Sequence, residues 1–299
     1  MRLFVTGAAG FVGSRLVARL TAEGAAITAA DHELDVTDAP RLESALREAR
    51  PEAIVHLAAV SSVPEAEANR ALAFRVNYLG TRSVLAGALR AAPRARVLLA
   101  SSCTVYGSAA PGSAPFDEGA PLRPRDAYAR SKAASDLLGA AYAARGLDVV
   151  RARPWNHTGA GRPDHFVESS LARQIVAIEA GRSPPRLAVG NLDSVRDFLH
   201  VEDVIDAYLA LLQPAVPAGV YNIASGEGVS IRALLDALLA LASARPEVVV
   251  DPARLRPADI TVGTAQKLRT ATGWRPARGA EQAFRELMAF WRGRLVAED

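Results

Sequence analysis

Short apolar runs alternate with segments of helical spacing through the first half of the chain. The runs predict strands, and a period near 3.6 between them predicts helices. Strands are expected at residues 3–5, 25–30, 53–57, 97–100 and 149–152, and helices at 11–22, 41–49, 71–91 and 127–144. Because these strands are apolar on both faces, they predict a parallel sheet with helices on both sides, a doubly wound α/β fold.

The pattern changes after the fifth predicted strand, where proline and glycine become frequent. We expect a larger domain over residues 1–155, to which 187–215 returns with a helix at 199–212. Residues 156–186 and 216–299 are expected to form a smaller C-terminal, substrate-binding domain. Further helices are predicted at 169–180, 231–242 and 280–291.

The composition excludes disordered and fibrous proteins, since 50% of the 299 residues are hydrophobic and 22% are charged. No apolar run approaches the ~20 residues that span a bilayer, and the chain reaches Gly7 too early for a secretory leader. The single cysteine, Cys103, cannot form an internal disulfide. We therefore expect a cytoplasmic protein with no membrane partner and no metal site.

The net charge of +3 is small, and basic residues are interleaved with acids, so nucleic acid is not an expected partner. Only two of the 35 basic residues are lysines, Lys132 and Lys267. Since arginine is the usual cation of this chain, a lysine at position 132 suggests a specific role.

A glycine turn follows the first predicted strand, with the sequence Thr-Gly-Ala-Ala-Gly-Phe-Val-Gly over residues 6–13. Glycine permits positive φ and lets a pyrophosphate approach the positive end of the following helix. A merely tight turn is the alternative, but the position between a strand and an amphipathic helix favours a dinucleotide site. Its predicted residues are Gly7, Gly10, Phe11, Val12 and Gly13.

Asp31 ends the second predicted strand, 18 residues after Gly13. A carboxylate there can accept hydrogen bonds from the adenosine ribose and would repel a 2′-phosphate, so NAD(H) is favoured and NADP(H) is the alternative. Asp35 and Val36 are candidate adenine contacts, although Asp35 equally suits a turn or a helix cap.

Tyr128 and Lys132 lie four residues apart, on one face of a predicted helix, and Ser102 follows the fourth strand. An ammonium beside a phenol favours the phenolate, so Lys132 is expected to lower the tyrosine pKa from its usual value of about 10. Such a tyrosine is a usable acid or base near neutrality. The spacing alone also fits a surface pair, but its position after the glycine turn favours catalysis.

Together these motifs resemble the extended short-chain dehydrogenase/reductase family of nucleotide-sugar epimerases, dehydratases and reductases. The resemblance rests on segments 6–13, 56–59, 101–107, 128–132 and 273–276. It implies a Rossmann-type fold that binds NAD(P). The residues it adds to the dinucleotide site are Leu57, Ala58, Ala59, Tyr128 and Lys132.

The resemblance also implies the roles of the candidate catalytic residues. Tyr128 would donate or accept the proton, Lys132 would hold the cofactor ribose and bias Tyr128, and Ser102 would hydrogen-bond the reacting sugar oxygen. Asn77 would be either a structural residue or a proton relay.

Dehydratases of the family carry an acidic residue just before the Val-Tyr-Gly element, where this chain has Cys103 and Thr104. Neither side chain suits the acid–base steps that eliminate water. The remaining reactions are hydride transfer to a sugar carbonyl and NAD-dependent 4-epimerisation. A non-catalytic dinucleotide sensor is disfavoured because it would not need Tyr128 and Lys132.

The second half carries further motifs at residues 153–159, 166–167, 174–181, 189–193, 196–198 and 255–259. They resemble the GDP-mannose branch of the family. This implies reduction of the C4 keto group of a GDP-4-keto-6-deoxyhexose to a GDP-6-deoxyhexose such as GDP-rhamnose. The expected substrate-binding residues are Ser102, Asn156, Val189, Asn191, Arg196 and Arg256.

Each of these substrate residues has a chemical reason and an alternative. The guanidinium groups of Arg196 and Arg256 suit a diphosphate, Asn156 suits the sugar, and residues 189–191 suit the base. Alternatively, Arg196 pairs with Asp197, Arg256 is a solvent-exposed loop charge, and Asn156 is a turn residue.

The helices predicted at 71–91 and 127–144 are rich in alanine and leucine, with apolar residues on more than one face. The family that this chain resembles pairs these helices across a two-fold axis. We therefore expect a homodimer.

Overall fold

The structure is a computed structural model that describes residues 1–297, and it contains twelve strands in that range. They are β1 Arg2–Thr6, β2 Ala26–Ala30, β3 Ala53–His56, β4 Arg96–Ala100, β5 Val149–Pro154, β6 Asn156–Thr158, β7 Arg186–Val189, β8 Val195–His200, β9 Gly219–Ile223, β10 Gly228–Ser230, β11 Glu247–Val250 and β12 Ile260–Thr261.

The α-helices of the same residues are α1 Phe11–Ala22, α2 Ala39–Ala49, α3 Val63–Ala68, α4 Arg70–Phe74, α5 Thr81–Ala91, α6 Ala127–Ala143, α7 Val167–Glu179, α8 Val201–Leu211, α9 Ile231–Ala240, α10 Gln266–Thr272 and α11 Ala280–Ala297. A π-helical turn, Arg75–Gly80, joins α4 to α5, and a 3₁₀ turn, Cys103–Tyr106, follows β4. None of the described helices is both long and apolar enough to cross a membrane.

Six parallel strands form the main sheet, in the order β2-β1-β3-β4-β5-β9. The order reverses between β1 and β3, since the chain first moves to one side of β1 and then to the other. In open α/β sheets a crevice forms outside the carboxyl ends of the strands at such a reversal. The predicted doubly wound fold is confirmed.

Two apolar clusters cover the two faces of this sheet. Successive residues of β1 point to opposite sides: Phe4 enters the cluster that contains Leu42 of α2, and Val5 enters the cluster that contains Leu16 of α1. Burial on both faces explains why β1, β3 and β4 contain continuous apolar runs.

The second half adds a smaller layer beside the end of β5. Strand β8 pairs with β10, β12 and β6, and β7 pairs with β11. Helices α7, α9 and α11 share an apolar cluster with β8, to which they contribute Leu171, Leu235 and Leu287 around Phe198.

The strands and helices of the first half are found close to their predicted bounds, although the helix predicted at 71–91 is divided by the π-helical turn. Two strands lie across the predicted domain boundaries. Strand β9 belongs to the main sheet, whereas the predicted boundary places 216–299 in the smaller domain. Strand β8 pairs outside the main sheet, whereas α8 and the end of β8 pack in the apolar cluster on one face of the main sheet. The division into two domains stays a prediction.

A buried ionic cluster fixes α6 against β5. Asp136 of α6 accepts hydrogen bonds from Arg153 at 2.8 Å through both carboxylate oxygens, and from Arg151 at 3.0 Å. Arg153 also donates to the Tyr106 hydroxyl at 2.7 Å. Because a buried charge without a partner is strongly destabilising, this cluster sets the position of the helix on the sheet.

Trp155 leaves β5 and fills the space beneath the chain that follows β12. The side chain is fully buried, and its ring stacks on Tyr106 at a centroid distance of 5.7 Å. A Cβ atom on Gly263 would lie 2.3 Å from the indole, so only glycine fits there.

We therefore expect Gly263→Ala to lower the free energy of unfolding by about 1–3 kcal/mol, because the added methyl overpacks the indole. Gly279→Ala is the matched control, since a Cβ atom there would meet nothing within 4 Å. Urea denaturation measures the free energy of unfolding of both variants. Equal loss of stability in the two would contradict the packing of Trp155.

Candidate active site

The glycine turn connects β1 to α1 at the carboxyl edge of the sheet. Gly7 has φ +70°, and a Cβ atom on it would lie 2.6 Å from the backbone nitrogen of Ala58. A Cβ atom on Gly13 would lie 2.1 Å from the carbonyl oxygen of Gly7. Both positions therefore require glycine for the turn and for the close approach of α1.

The N-terminus of α1 fits a phosphate group. Gly10 precedes the helix and is exposed, and among the described residues no side chain caps the first turn. Phe11 and Val12 open the helix and are partly buried. Backbone N–H groups at such a terminus, together with the helix dipole, attract an anion, so these residues fit a dinucleotide pyrophosphate.

The segment after β3 meets the glycine turn. Leu57, Ala58 and Ala59 directly follow the strand and are partly buried, and the Leu57 N–H donates to the Thr6 carbonyl at 3.1 Å. The structure thus brings these predicted cofactor residues to the crevice at the strand-order reversal.

Asp31 lies over the same turn, where its carboxylate accepts a hydrogen bond from the Ala9 N–H. Asp35 instead accepts hydrogen bonds from the backbone and the hydroxyl of Thr37, both at 2.8 Å, which lower the pKa of its carboxyl. This geometry fits the turn alternative for Asp35. Val36 is buried against Gly80.

The candidate catalytic side chains converge at the carboxyl end of β4. Tyr128, in the first turn of α6, is partly buried, and Ser102 is near enough to its hydroxyl to favour the phenolate. The Ser102 oxygen accepts hydrogen bonds from the Thr104 N–H at 3.2 Å and from the Thr104 hydroxyl at 2.9 Å. Because Thr104 occupies its acceptor sites, Ser102 is oriented to donate its own proton.

The expectation that Lys132 lowers the pKa of Tyr128 is wrong for this structure. Burial raises the pKa of Tyr128 to about 12, and the charge that opposes this effect comes from Arg162. The Lys132 ammonium donates instead to the Ala100 carbonyl oxygen. Desolvation of the phenolate therefore outweighs the stabilisation that the nearby groups supply.

Lys132 is buried, which lowers its pKa to about 8 against the opposing charge of Asp136. The lysine therefore remains largely cationic at neutral pH. Asp136, one turn further along α6, is the carboxylate that supports this charge in the interior.

Asn77 lies in the π-helical turn with its amide fully engaged. Its oxygen accepts from the Val60 N–H at 2.8 Å, and its nitrogen donates to the Val60 carbonyl at 3.1 Å and to the Ser131 hydroxyl at 2.8 Å. This arrangement fits the structural alternative, in which Asn77 ties the segment after β3 to α6.

The two positions where family dehydratases carry an acid have no carboxyl group. Cys103 is buried, and burial raises the pKa of its thiol to about 12, so it stays protonated. The Thr104 hydroxyl donates its proton to the Ser102 oxygen. Neither group can serve as the base that elimination of water requires.

Two of the predicted substrate residues lie in the adjoining strands β6 and β8. Asn156 is partly buried, and it pairs with Phe198 across these strands. Arg196 in β8 forms an ion pair with Asp259 at 2.6 Å, rather than with Asp197. Asp197 is buried and accepts hydrogen bonds from Ser225 and from backbone N–H groups.

Asn191 and Arg256 lie together at the surface, where the Asn191 amide donates to the Arg256 carbonyl at 3.1 Å. The Arg256 side chain is exposed and donates only to backbone carbonyls of its own loop, within the described residues. Val189 is buried in the apolar cluster of the smaller layer. The side chain of Val189 is therefore not placed to contact a base.

Two charged residues that act on Lys132 or Tyr128 are absent from the sequence predictions. Asp136 shares the helix face of Tyr128 and Lys132 at spacings of eight and four residues, a signal that helical periodicity could have supplied. Arg162 lies in a loop, buried beside Phe166, and paired with Glu168. No local sequence pattern indicates a functional role for Arg162.

Comparison with known proteins finds full-length relatives. The chain is 38% identical to the GDP-6-deoxy-D-mannose reductase of Pseudomonas aeruginosa over 99% of both chains. It is 29% identical to the UDP-glucose 4-epimerase of Mycolicibacterium smegmatis, over 98% of this chain and 99% of the relative.

Solved structures of other proteins also match this chain over nearly its full length. RMD from Pseudomonas aeruginosa, complexed with NADPH, matches with a TM-score of 0.91 and 37% identity, covering 98% of this chain and 99% of the other. UDP-glucose 4-epimerase of Thermus thermophilus, in complex with NAD, matches with a TM-score of 0.86 and 30% identity, covering 98% and 99%.

The family profile described as "NAD dependent epimerase/dehydratase family" matches residues 3–224, which include the glycine turn, the Tyr128–Lys132 pair and β9. The resemblance carried by the sequence motifs is confirmed. With this match and full-length identity of 38%, the chain belongs to the NAD dependent epimerase/dehydratase family.

Proposed function

We propose that the protein reduces the C4 keto group of a GDP-4-keto-6-deoxyhexose, using NADH or NADPH, to give a GDP-6-deoxyhexose such as GDP-rhamnose. One observation carries this proposal: the Tyr128 hydroxyl lies beside Ser102, and the two residues after Ser102, Cys103 and Thr104, supply no carboxylic acid. The site thus has a proton donor for a carbonyl oxygen but lacks the acid–base pair of a dehydratase.

When bound, a reduced nicotinamide would supply the hydride. The N-terminus of α1 would bind its pyrophosphate, Asp31 its adenosine ribose, and Lys132 its nicotinamide ribose. We propose a preference for NADH because the Asp31 carboxylate opposes a 2′-phosphate. The relative crystallised with NADPH makes NADPH the alternative, and the assay below compares the two.

Tyr128 donates the proton that the sugar oxygen needs. With its pKa raised to about 12, the phenol is protonated at neutral pH, the form that reduction requires. Ser102 donates a hydrogen bond to the same oxygen and stabilises the negative charge that develops there.

The GDP group is proposed from the full-length relative and from two arginines. Arg256 is exposed with no carboxylate partner among the described residues, so its guanidinium can turn onto a diphosphate. Arg196, held by Asp259, would add a second cation beside Asn156.

A 4-epimerase is the second candidate, because the same residues serve it and the chain aligns over 98% with a UDP-glucose 4-epimerase. Such an enzyme retains NAD through its cycle. Purified protein that carries stoichiometric NAD and turns over with none added would favour it.

The proposed activity is tested by incubating the protein with GDP-4-keto-6-deoxymannose and either NADH or NADPH. We expect the absorbance of the reduced nicotinamide to fall, faster with NADH, and a GDP-6-deoxyhexose to appear by mass spectrometry. Absence of oxidation with both cofactors would reject the reductase.

Tyr128→Phe is expected to lower kcat by about 10²–10⁴-fold, because no proton reaches the developing alkoxide. Cofactor affinity should change little, since the ring is retained. Tyr142→Phe on the same helix is the matched control, and we expect the parental rate. Steady-state kinetics measure kcat, and fluorescence titration measures cofactor affinity, for both variants. A kcat near that of the parent for Tyr128→Phe would show that Tyr128 is not the proton donor.

We further propose that the protein is a homodimer paired through residues 71–91 and α6. Phe74 and Leu137 are exposed, 47% and 58%, and Phe74 stacks on Tyr78 at 4.8 Å. Helix α4, which carries Phe74, packs against α6, which carries Leu137, and exposed apolar groups on neighbouring elements are typical of an interface.

Sedimentation equilibrium at micromolar concentration should give the dimer mass for the parent and the monomer mass for Leu137→Arg, because a charge cannot be buried there without a partner. Val296→Arg, at an exposed position of α11, should remain dimeric. A monomeric parent would contradict the interface.

A further inference from the structure

Arg162 is a buried cation in the loop between β6 and α7, and none of the sequence predictions includes it. Only 7% of its surface is exposed. The guanidinium carbon lies 3.3 Å from the centroid of the Phe166 ring and 5.2 Å from the centroid of the Phe11 ring. Because the faces of aromatic rings attract a cation, these two rings help to hold the guanidinium group in place.

Phe11 connects this cation to the glycine turn. It is the first residue of α1 and directly follows Gly10, at the helix end whose N–H groups have no side-chain cap among the described residues. Since the Cα–Cβ bonds of a helix tilt toward its N-terminus, the Phe11 ring lies toward that end. A guanidinium group against this ring is therefore placed beside the proposed pyrophosphate site.

The Arg162 side chain is anchored through one nitrogen only. Its Nε donates to Glu168 at 3.2 Å, and Glu168 is itself fully buried in the first turn of α7. The two terminal nitrogens have no acceptor within residues 1–297. The sealed polar atoms that lack a partner in that range belong to other residues, so these nitrogens face open space. Arg162 thus presents free N–H groups whose direction is set by the bond to Glu168.

A second arginine contacts Phe11, but its donors are engaged. The Arg15 guanidinium lies 4.6 Å from the centroid of the Phe11 ring, and its terminal nitrogens donate to the carbonyl oxygens of Phe11 and Ala160. Ser169 donates to the Arg162 carbonyl oxygen at 2.6 Å. These bonds hold the loop between α1 and α7, and they leave Arg162 as the arginine with free donors there.

Glu168 alone does not compensate for the burial of Arg162. Desolvation lowers the pKa of the guanidinium group, although the charge and the hydrogen bond of Glu168 oppose this effect. In the part of the chain that the structure describes, no second carboxylate pairs with Arg162. A bound anion would supply the missing negative charge.

We propose that Arg162 binds the pyrophosphate of the dinucleotide, so that its terminal N–H groups complete, from the smaller layer, the anion site formed by the glycine turn and α1. This inference rests on the proposed function, which requires a dinucleotide. The contact with Phe11 favours the cofactor over the GDP group, for which Arg196 and Arg256 are proposed. Because Glu168 belongs to α7, a bound cofactor would join the smaller layer to the main sheet.

The first test measures binding in the absence of a sugar substrate. Isothermal titration calorimetry gives the Kd of NADH and of ADP-ribose, which keeps the pyrophosphate but lacks the nicotinamide. Arg162→Met should weaken the binding of both about 10–100-fold, because hydrogen bonds between charged groups are lost. GDP, titrated in the presence of saturating NADH, should bind with the parental affinity.

Two further variants serve as controls. Arg162→Met leaves Glu168 buried without its partner, so Arg162→Met/Glu168→Gln isolates the loss of the cation and should show the same weakening. Arg173→Met removes an exposed arginine of α7 that pairs with Asp164, and it should bind both ligands as the parent does. Circular dichroism verifies that the variants are folded.

The second test examines whether the cofactor joins the two layers. Hydrogen exchange, followed by mass spectrometry at equal ligand occupancy, compares the protein with and without ADP-ribose. In the parent, ADP-ribose should protect residues 159–168 and residues 7–13. In Arg162→Met/Glu168→Gln only the protection of residues 7–13 should persist. A merely structural role of Arg162 would change exchange in the free protein but not the protection that the ligand adds.

The outcomes separate this inference from the reductase activity. Unchanged affinity for NADH and ADP-ribose in Arg162→Met would overturn the inference, as would a parent that binds neither ligand. A loss confined to NADH would place Arg162 at the nicotinamide, and a loss confined to GDP would place it at the substrate; either would reject the pyrophosphate contact. Weakened binding of NADH and ADP-ribose in a protein that reduces no GDP-sugar would support the inference and reject the reductase.

Discussion

The carboxylate of Asp136 is the interaction on which the geometry of this site depends. It binds Arg153 and Arg151 in the interior and supports the charge of Lys132 one helical turn away. Burial disfavours a charged carboxylate, but the hydrogen bond and charge of Arg153 outweigh it and keep the pKa of Asp136 below its ordinary value. Because removing one partner of such a cluster costs about 3–5 kcal/mol, α6 is held in one position on the sheet. That position brings Tyr128 to Ser102.

Much of this arrangement can be predicted from the sequence because it follows from local rules. The strands of the main sheet are apolar on both faces, so β1 to β5 appear as short continuous runs, and the glycines at 7 and 13 are required by contacts that any side chain would violate. The carboxyl ends of parallel strands share one edge, which is why residues after β1, β2 and β3 meet although they are far apart in sequence.

The remaining features depend on long-range packing, which a local pattern does not encode. Strand β9 has five residues and includes the polar Asn222, yet it joins the main sheet because β5 presents an unpaired edge. Val189 resembles a loop contact in sequence but is buried by the helices of the smaller layer. The pKa of Tyr128 is set by how completely the phenol is desolvated, and spacing to Lys132 carries no information about this.

The raised pKa of Tyr128 also determines the protonation state from which the proposed reaction starts. A buried phenol keeps its proton until negative charge develops on the sugar oxygen, and it then transfers that proton to a nearby, stronger base. Epimerisation begins with the opposite step, in which the tyrosine must first accept a proton from the sugar hydroxyl. Burial opposes the phenolate needed for that step, and in this structure Ser102 and Arg162 offset burial only in part. The protonated phenol is therefore the form from which the proposed reduction of a ketone begins.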